Sequence, residues 1–146
     1  MIFVRFLPLN QDNIKNIILE NSKYIYHYTY EENLESIKNT GLKINNISHP
    51  LYPKRLFFIT NIKTNTNISF NDYEKYLIDR LILNYRLNYK TNKTPNIYKI
   101  SIDLNKLPNN IKFYIDINSY PYAIYTDSNI SKQYLNISKN KINIKK

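Results

Sequence analysis

The residues with the clearest capacity for chemistry lie between positions 25 and 44, around one of the two histidines of the chain. His27 stands at the end of an aromatic and β-branched run, which is typical of a strand. Thr29 and Glu32 have the spacing of a capping box, which predicts a helix that starts just after His27. Free amides at a helix N-terminus suit a ligand that carries an amide or a pyrophosphate. His27 is therefore either a ligand contact or a hydrogen-bonded structural histidine, whereas His49 is predicted to have no role.

This stretch resembles the first signature motif of the ADP-ribosyltransferase superfamily, in the form found in its bacterial toxin and DNA-targeting branches. The motif is a strand that ends in His-x-Ser/Thr, a helix with Asn-Leu-x-x-Ile, and then Gly-Leu. Here it corresponds to 27–29, 33–37 and 41–42. The resemblance implies that His27 bonds a ribose hydroxyl of NAD and that the backbone of Tyr28 holds the nicotinamide carboxamide. It also implies that the Thr29 hydroxyl supports the turn.

A second segment, 56–60, is similar to the second motif of that family, an aromatic pair on a strand that forms the floor under nicotinamide. The resemblance gives this role to Phe57 and Phe58. In the family, the following helix often supplies another aromatic ring that stacks on nicotinamide. Tyr73 and Tyr76 are the candidates, and Tyr73 is preferred because it is nearer the start of the helix. Position by position, core packing is the alternative for these tyrosines.

A third segment, 122–135, is similar to the closing strand and loop of the family. Most active members carry a Glu at or just before this strand, but no Glu follows Glu74 in this chain. Loss of nicotinamide develops positive charge at the ribose, and a fixed carboxylate stabilises such charge. The role falls on Asp116 or Asp127. The resemblance favours Asp116, because the connection that enters the closing strand faces the cleft in the family fold, and a turn-forming role is the alternative.

Hydrophobic periodicity predicts the elements that must position these residues. The only glycine of the chain, Gly41, is predicted to end the helix that starts after His27, in a left-handed conformation. Asn71 and Glu74 are predicted to cap a longer helix. The predicted elements are strands at Ile2–Leu7, Tyr24–Tyr28, Arg55–Thr60, Ile97–Asp103, Ile111–Ile117, Tyr122–Thr126 and Tyr134–Ile137, and helices around Ile14–Ile18, from Thr29 to Gly41, and from about Asp72 to Leu87.

Helices early and strands late in the chain predict an α+β fold with mostly antiparallel pairing. The resemblance implies split antiparallel sheets with two or three helices and an NAD cleft between them. The 146 residues are predicted to form one domain with a Lys-rich tail from about residue 138.

Composition limits the classes of function. The chain has no cysteine and only two histidines, so neither a disulfide framework nor a metal site is predicted. No apolar stretch approaches the roughly 20 residues that cross a bilayer, so a soluble, cytoplasmic protein without a membrane partner is expected. The formal net charge of +10 favours polyanionic or acidic partners.

The resemblance implies an NAD-binding ADP-ribosyltransferase-like protein, encoded by a phage or acting as a toxin or in host defence. It would transfer ADP-ribose to a macromolecular target, an acidic protein or a nucleic acid. Two alternatives stay open: an inactive scaffold of the same type that binds or inhibits a nucleic-acid-processing complex, and a plain basic nucleic-acid-binding module.

Overall fold

A computed structural model describes residues 6–8, 23–44, 55–61, 67–108, 110–116, 123–138 and 142, with the backbone alone at 6–8, 115 and 116. These residues form an α+β fold with seven strands and two α-helices. The strands are β1 (Phe6–Pro8), β2 (Tyr24–Tyr30), β3 (Leu56–Ile59), β4 (Ile97–Asp103), β5 (Tyr114–Asp116), β6 (Ala123–Thr126) and β7 (Asn136–Ile137), and the helices are α1 (Leu34–Thr40) and α2 (Phe70–Tyr89).

The seven strands form one sheet in the order β1-β5-β6-β3-β2-β4-β7, and all six pairs of neighbouring strands are antiparallel. The predicted α+β class with antiparallel pairing is confirmed. A single residue pair, Tyr26 opposite Ile59, joins β2 to β3. The resemblance implied two split sheets. The described strands instead form one sheet, whose portions of three and four strands meet at that pair.

The two faces of this sheet differ in chemistry because side chains alternate along each strand. One face carries Ile25 and His27 of β2, whose cross-strand partners Ile102 and Ile100 are fully buried. We call it the histidine face, and it forms much of the core. The opposite face, which we call the tyrosine face, carries four side chains of β2: Tyr24, Tyr26, Tyr28 and Tyr30.

Helix α2 packs against the tyrosine face. The ring centroids of Phe70 and Tyr26 are 6.1 Å apart. Four residues further along β2, the Tyr30 hydroxyl donates a hydrogen bond to the Leu81 carbonyl at 2.6 Å. Because residues 70 to 81 span about three turns of helix, these contacts lay the first half of α2 along β2.

The N-terminus of α2 is capped by Ser69. Its hydroxyl accepts a hydrogen bond from the Asp72 backbone amide at 3.1 Å. The predicted capping pair, Asn71 and Glu74, is therefore wrong. The helix begins at Phe70, about two residues earlier than predicted, so both residues lie inside it.

The helix that follows β2 starts later than predicted. Strand β2 continues to Tyr30, which pairs with Ile97, and the Glu31 amide donates to the Asn96 carbonyl at 3.0 Å. A 3-10 turn over Glu31–Asn33 then leads into α1, and neither start has a side-chain cap. The predicted capping box does not form, because strand pairing continues through Tyr30, which holds the N-cap position, so Thr29 lies one residue too early. The Thr29 hydroxyl instead accepts a hydrogen bond from the side-chain amide of Asn33 at 3.4 Å.

Gly41 ends α1 with a positive φ of 78°. Its ψ of −167° lies outside the predicted left-handed helical region. A β-carbon at this position would collide with the Ile130 carbonyl oxygen and lie 2.8 Å from the Lys132 amide nitrogen. Glycine is therefore required both by the φ angle and by the close passage of the 130–132 segment.

Two predicted features lie outside the described residues: the amphipathic helix around Ile14–Ile18 and most of the Lys-rich tail. None of the helices in the described ranges combines the length and the apolar character needed to cross a bilayer.

Candidate functional site

The His27 ring is fixed by one hydrogen bond and one aromatic contact. Its Nδ1 lies 2.9 Å from the backbone carbonyl oxygen of Phe57, and its ring centroid lies 5.5 Å from that of Phe58. A carbonyl can only accept a hydrogen bond, so Nδ1 carries the proton and donates it. In the described part of the chain, Nε2 has no hydrogen-bond partner.

The environment of His27 keeps its ring neutral. Burial lowers the pKa of His27 below its usual value of 6.5, and the hydrogen bond to the Phe57 carbonyl opposes this only in part. With the proton on Nδ1, the neutral ring presents a lone pair at Nε2. The ring is therefore equipped to accept a hydrogen bond from a hydroxyl group. The side chain is half-buried and lies at the middle of β2, three residues before the end of the strand. The prediction that the strand ends at His27, with a helix starting just after it, is therefore wrong.

The three segments that carry the family resemblance fold into neighbouring strands. Residues 24–30, 56–59 and 123–126 form β2, β3 and β6, which are adjacent in the order β6-β3-β2. The hydrogen bond from His27 to the Phe57 carbonyl joins the first segment to the second. Segments about 30 and 97 residues after His27 in the sequence thus form the next two strands of the sheet.

The aromatic pair of β3 is divided between the two faces. Phe58 lies on the histidine face beside His27, is 1% exposed, and packs edge-on against Phe113 with centroids 6.1 Å apart. Phe57 points to the tyrosine face and is 47% exposed. The structure therefore brings His27 together with the ring of Phe58, whereas His27 meets Phe57 only at its backbone carbonyl.

The candidate tyrosines of α2 differ in exposure. Tyr73 is 6% exposed and belongs to the core, whereas Tyr76 is half exposed, and their ring centroids lie 6.2 Å apart. Arg80 donates to the Tyr76 hydroxyl at 3.2 Å. Of the two, Tyr76 has the ring that solvent and ligands reach.

Asp116 ends β5, where its backbone pairs with Phe6 of β1. Strands β6 and β3 separate β5 from β2. At about 4.8 Å for each strand spacing, the backbone of Asp116 is roughly 14 Å from that of β2. The Asp116 side chain lies outside the described residues, and Asp127 is exposed just after β6.

Sequence reasoning missed a polar cluster that links α2 to the sheet. One carboxylate oxygen of Glu74, Oε2, accepts hydrogen bonds from the Tyr28 hydroxyl and, at 2.7 Å, from the Lys99 ammonium. The same ammonium lies 4.2 Å from the ring centroid of Tyr26, within range of a cation–π contact. Burial, and then the bond to Glu74, raises the pKa of Tyr28, so its hydroxyl stays protonated and keeps donating.

One sequence signal pointed to this cluster. Tyr24, Tyr26, Tyr28 and Tyr30 alternate along one strand, which indicates a face that needs polar partners for its hydroxyls. The pairing of Tyr28 with Lys99, however, depends on the register of β2 and β4, and the sequence alone does not fix it. The sequence alone predicts Glu74 only as part of the capping pair of α2.

A shallow polar depression of about 470 Å³ lies where α1 meets the segment after β6. Two lysines, two asparagines and two hydroxyl residues line it: Asn39, Thr40, Lys43, Asn129, Ser131 and Lys132. The Asn129 side-chain oxygen accepts from the Ile44 amide at 2.9 Å, so one of its groups is already used. The depression has basic walls and is distinct from the His27 contacts.

In the part of the chain that the structure describes, no group of three His, Asp or Glu side chains is arranged as metal ligands. No protein-family model matches the chain, and no curated protein has a significantly similar sequence.

Proposed function

We propose that the chain is an ADP-ribosyltransferase-like protein that binds NAD beside His27 and transfers ADP-ribose to a macromolecular target. The observation that carries this proposal is the hydrogen bond that fixes Nδ1 of His27 on the Phe57 carbonyl and leaves Nε2 as the acceptor. Burial lowers the pKa of His27, which favours the neutral ring. That state suits a ribose hydroxyl, which is a donor. The adjacency of the three family-like segments in β2, β3 and β6 supports the same assignment.

The residues fit NAD in part. His27 provides an acceptor for a ribose hydroxyl, and the carboxylate of Asp116 is our candidate to stabilise positive charge at the ribose carbon. Phe58 is buried beside His27, so its ring supports the site from within the core. Tyr73 belongs to α2, which packs on the opposite face of the sheet, and takes no part in this site. When bound, NAD supplies the ADP-ribosyl group and nicotinamide as the leaving group, and the nucleophile comes from the target.

Calorimetric titration of the full chain with NAD tests binding. The His27→Phe variant keeps a ring against Phe58 but removes both nitrogens. Loss of one hydrogen bond worth about 0.5–1.5 kcal/mol predicts NAD binding weaker by about 2- to 12-fold. The matched control is His49→Ala, which replaces the other histidine and should bind NAD as the wild type does. Equal affinity of wild type and His27→Phe would remove His27 from the site.

Transfer is tested separately, with labelled NAD and a cell lysate as the source of targets. Asp116→Asn should bind NAD normally but lose transfer by about 100-fold or more, the scale seen when one charge-stabilising group is removed from an active site. NAD binding without transfer in the wild type would favour the inactive scaffold. Absence of both binding and transfer would contradict the proposal.

A further inference from the structure

A row of aromatic side chains crosses the tyrosine face at the centre of the sheet. Phe57 of β3 lies directly opposite Tyr125 of β6, and Tyr125 lies opposite Tyr114 of β5. On the other side, the register set by Tyr26 and Ile59 brings Phe57 level with Tyr28 of β2. We call this set the aromatic row: Tyr28, Phe57, Tyr125 and Tyr114.

Three of the four rings, those of Phe57, Tyr125 and Tyr114, are in contact. The centroids of Phe57 and Tyr125 are 5.8 Å apart, and those of Tyr125 and Tyr114 are 5.1 Å apart with planes inclined by 24°, a stacked arrangement. The guanidinium carbon of Arg55 lies 4.5 Å from the centroid of Tyr125. The row therefore combines flat apolar surface with a cation at its side.

The exposure of Phe57 is the informative feature of the row. Strand β3 is the central strand of the seven, and the other three residues of the strand, Leu56, Phe58 and Ile59, are buried. Phe57 is nevertheless 47% exposed. Helix α2 contacts the tyrosine face through Tyr26, Tyr28 and Tyr30 of β2 and through Lys99 of β4. These contacts lie on the β2 side of β3, and the Phe57 ring stays exposed.

Tyr28 and Tyr125 are buried, so Phe57 provides the exposed ring of the row. From this arrangement we infer that Phe57, backed by the rings of Tyr125 and Tyr114, is a base-stacking site for single-stranded nucleic acid. Unpaired bases stack on exposed aromatic rings of sheet surfaces, and nearby cations neutralise the phosphates. Phe57 supplies the accessible ring, Arg55 lies against the ring of the neighbouring Tyr125, and the net charge of +10 attracts a polyanion. The surface lies on the face opposite His27, so the inference does not depend on NAD binding.

Stacking on Phe57 is tested directly by fluorescence. The chain has no tryptophan, so a Phe57→Trp variant carries a single indole at the centre of the row. A single-stranded dT 12-mer should quench its emission. The matched control is Leu83→Trp, which places the indole at a similarly exposed position of α2, away from the sheet. Quenching in the control equal to that in Phe57→Trp would overturn the inference.

Affinity gives an independent test, measured by anisotropy of a labelled dT 12-mer. Phe57→Ala should weaken binding by about tenfold, since stacking of one base on one ring contributes at least a factor of that order. Leu83→Ala should bind as the wild type does. The salt dependence should be the same in both variants, because neither substitution changes a charge. Far-UV circular dichroism confirms that the variants are folded.

Three further oligomers identify what is recognised. An abasic 12-mer with the same phosphates should bind less tightly than dT, and so should a duplex, whose bases are already stacked. A poly-glutamate peptide tests whether charge alone suffices. The inference is overturned if the abasic strand or the peptide binds as tightly as dT, or if Phe57→Ala binds dT with wild-type affinity.

Discussion

His27 shows how the surroundings of one residue select among its chemical states. Its Nδ1 proton is committed to the Phe57 carbonyl, and burial lowers its pKa. The two effects oppose each other on the charge of the ring: the hydrogen bond favours the protonated form, whereas burial, the larger effect, favours the neutral form with an acceptor at Nε2. A histidine that titrated near neutral pH would alternate between accepting and donating at that atom. The proposed contact with a ribose hydroxyl depends on this neutrality.

The lowered pKa of His27 predicts a pH dependence of stability. Between the folded pKa and the unfolded value of 6.5, the unfolded state binds more protons than the folded state. The free energy of unfolding should therefore fall as the pH drops through 6.5 towards the folded pKa, and this contribution should be complete above about pH 7. Urea titrations between pH 5 and 8 should show this slope in the wild type and a smaller one in His27→Phe.

The other histidine provides the control for that measurement. His49→Ala should retain the part of the slope that belongs to His27. Identical pH profiles for the wild type and His27→Phe would contradict the assignment of a lowered pKa. An NMR titration of the imidazole protons, assigned with the same two variants, reports the pKa of His27 itself.

At the scale of elements, the strands followed from local sequence more closely than the helix starts did. Ile97–Asp103 was predicted with its observed bounds, and Tyr122–Thr126 within one residue. Alternating apolar residues and β-branched side chains mark such strands locally. The capping predictions failed for a different reason. Several Ser, Thr, Asn and Asp residues near each start offer a plausible spacing, and pairing of the neighbouring backbone decides which of them caps.

The observed cap of α2 makes a direct prediction. Ser69→Ala removes the hydroxyl that accepts from the Asp72 amide and should lower the free energy of unfolding by about 1 kcal/mol. Asn71→Ala changes the residue that the sequence predicts as the cap. It should alter the free energy of unfolding by less than about 0.5 kcal/mol, because the Asn71 side chain lies on the exposed surface of the helix. Urea denaturation of the two variants compares them. A larger loss of stability in Asn71→Ala than in Ser69→Ala would show that Asn71, and not Ser69, caps the helix.

For the molecule as a whole, the polar cluster decides how the longest helix sits on the sheet. Tyr28, Glu74 and Lys99 come from β2, α2 and β4, and the Glu74 carboxylate satisfies both of the other groups. The cluster is partly buried, so loss of its central member leaves a hydroxyl and an ammonium without their acceptor. By holding α2 over β2, it also leaves Phe57 of β3 uncovered. One attachment thus shapes both the core and the aromatic row.

Removal of the central carboxylate tests this attachment. Glu74→Ala should lower the free energy of unfolding by about 1–3 kcal/mol, the cost of leaving buried polar partners unsatisfied. Asp79→Ala removes an exposed carboxylate from the same helix and should change stability by less than about 0.5 kcal/mol. Thermal and urea unfolding measure both. Similar effects of the two variants would mean that the cluster does not hold α2 in place.

The sequence by itself determined the strand content, the long helix, the break at Gly41 and the antiparallel α+β class, because alternation, periodicity and a lone glycine are local signals. Only the tertiary structure decided which side chains meet. The seven strands form one sheet, and the side chains of Phe57 and Phe58 lie on its opposite faces. Glu74, predicted as a capping residue, instead binds Tyr28 and Lys99. The physical reason is register: pairing between strands distant in the chain sets which residues face each other, and no local pattern encodes it.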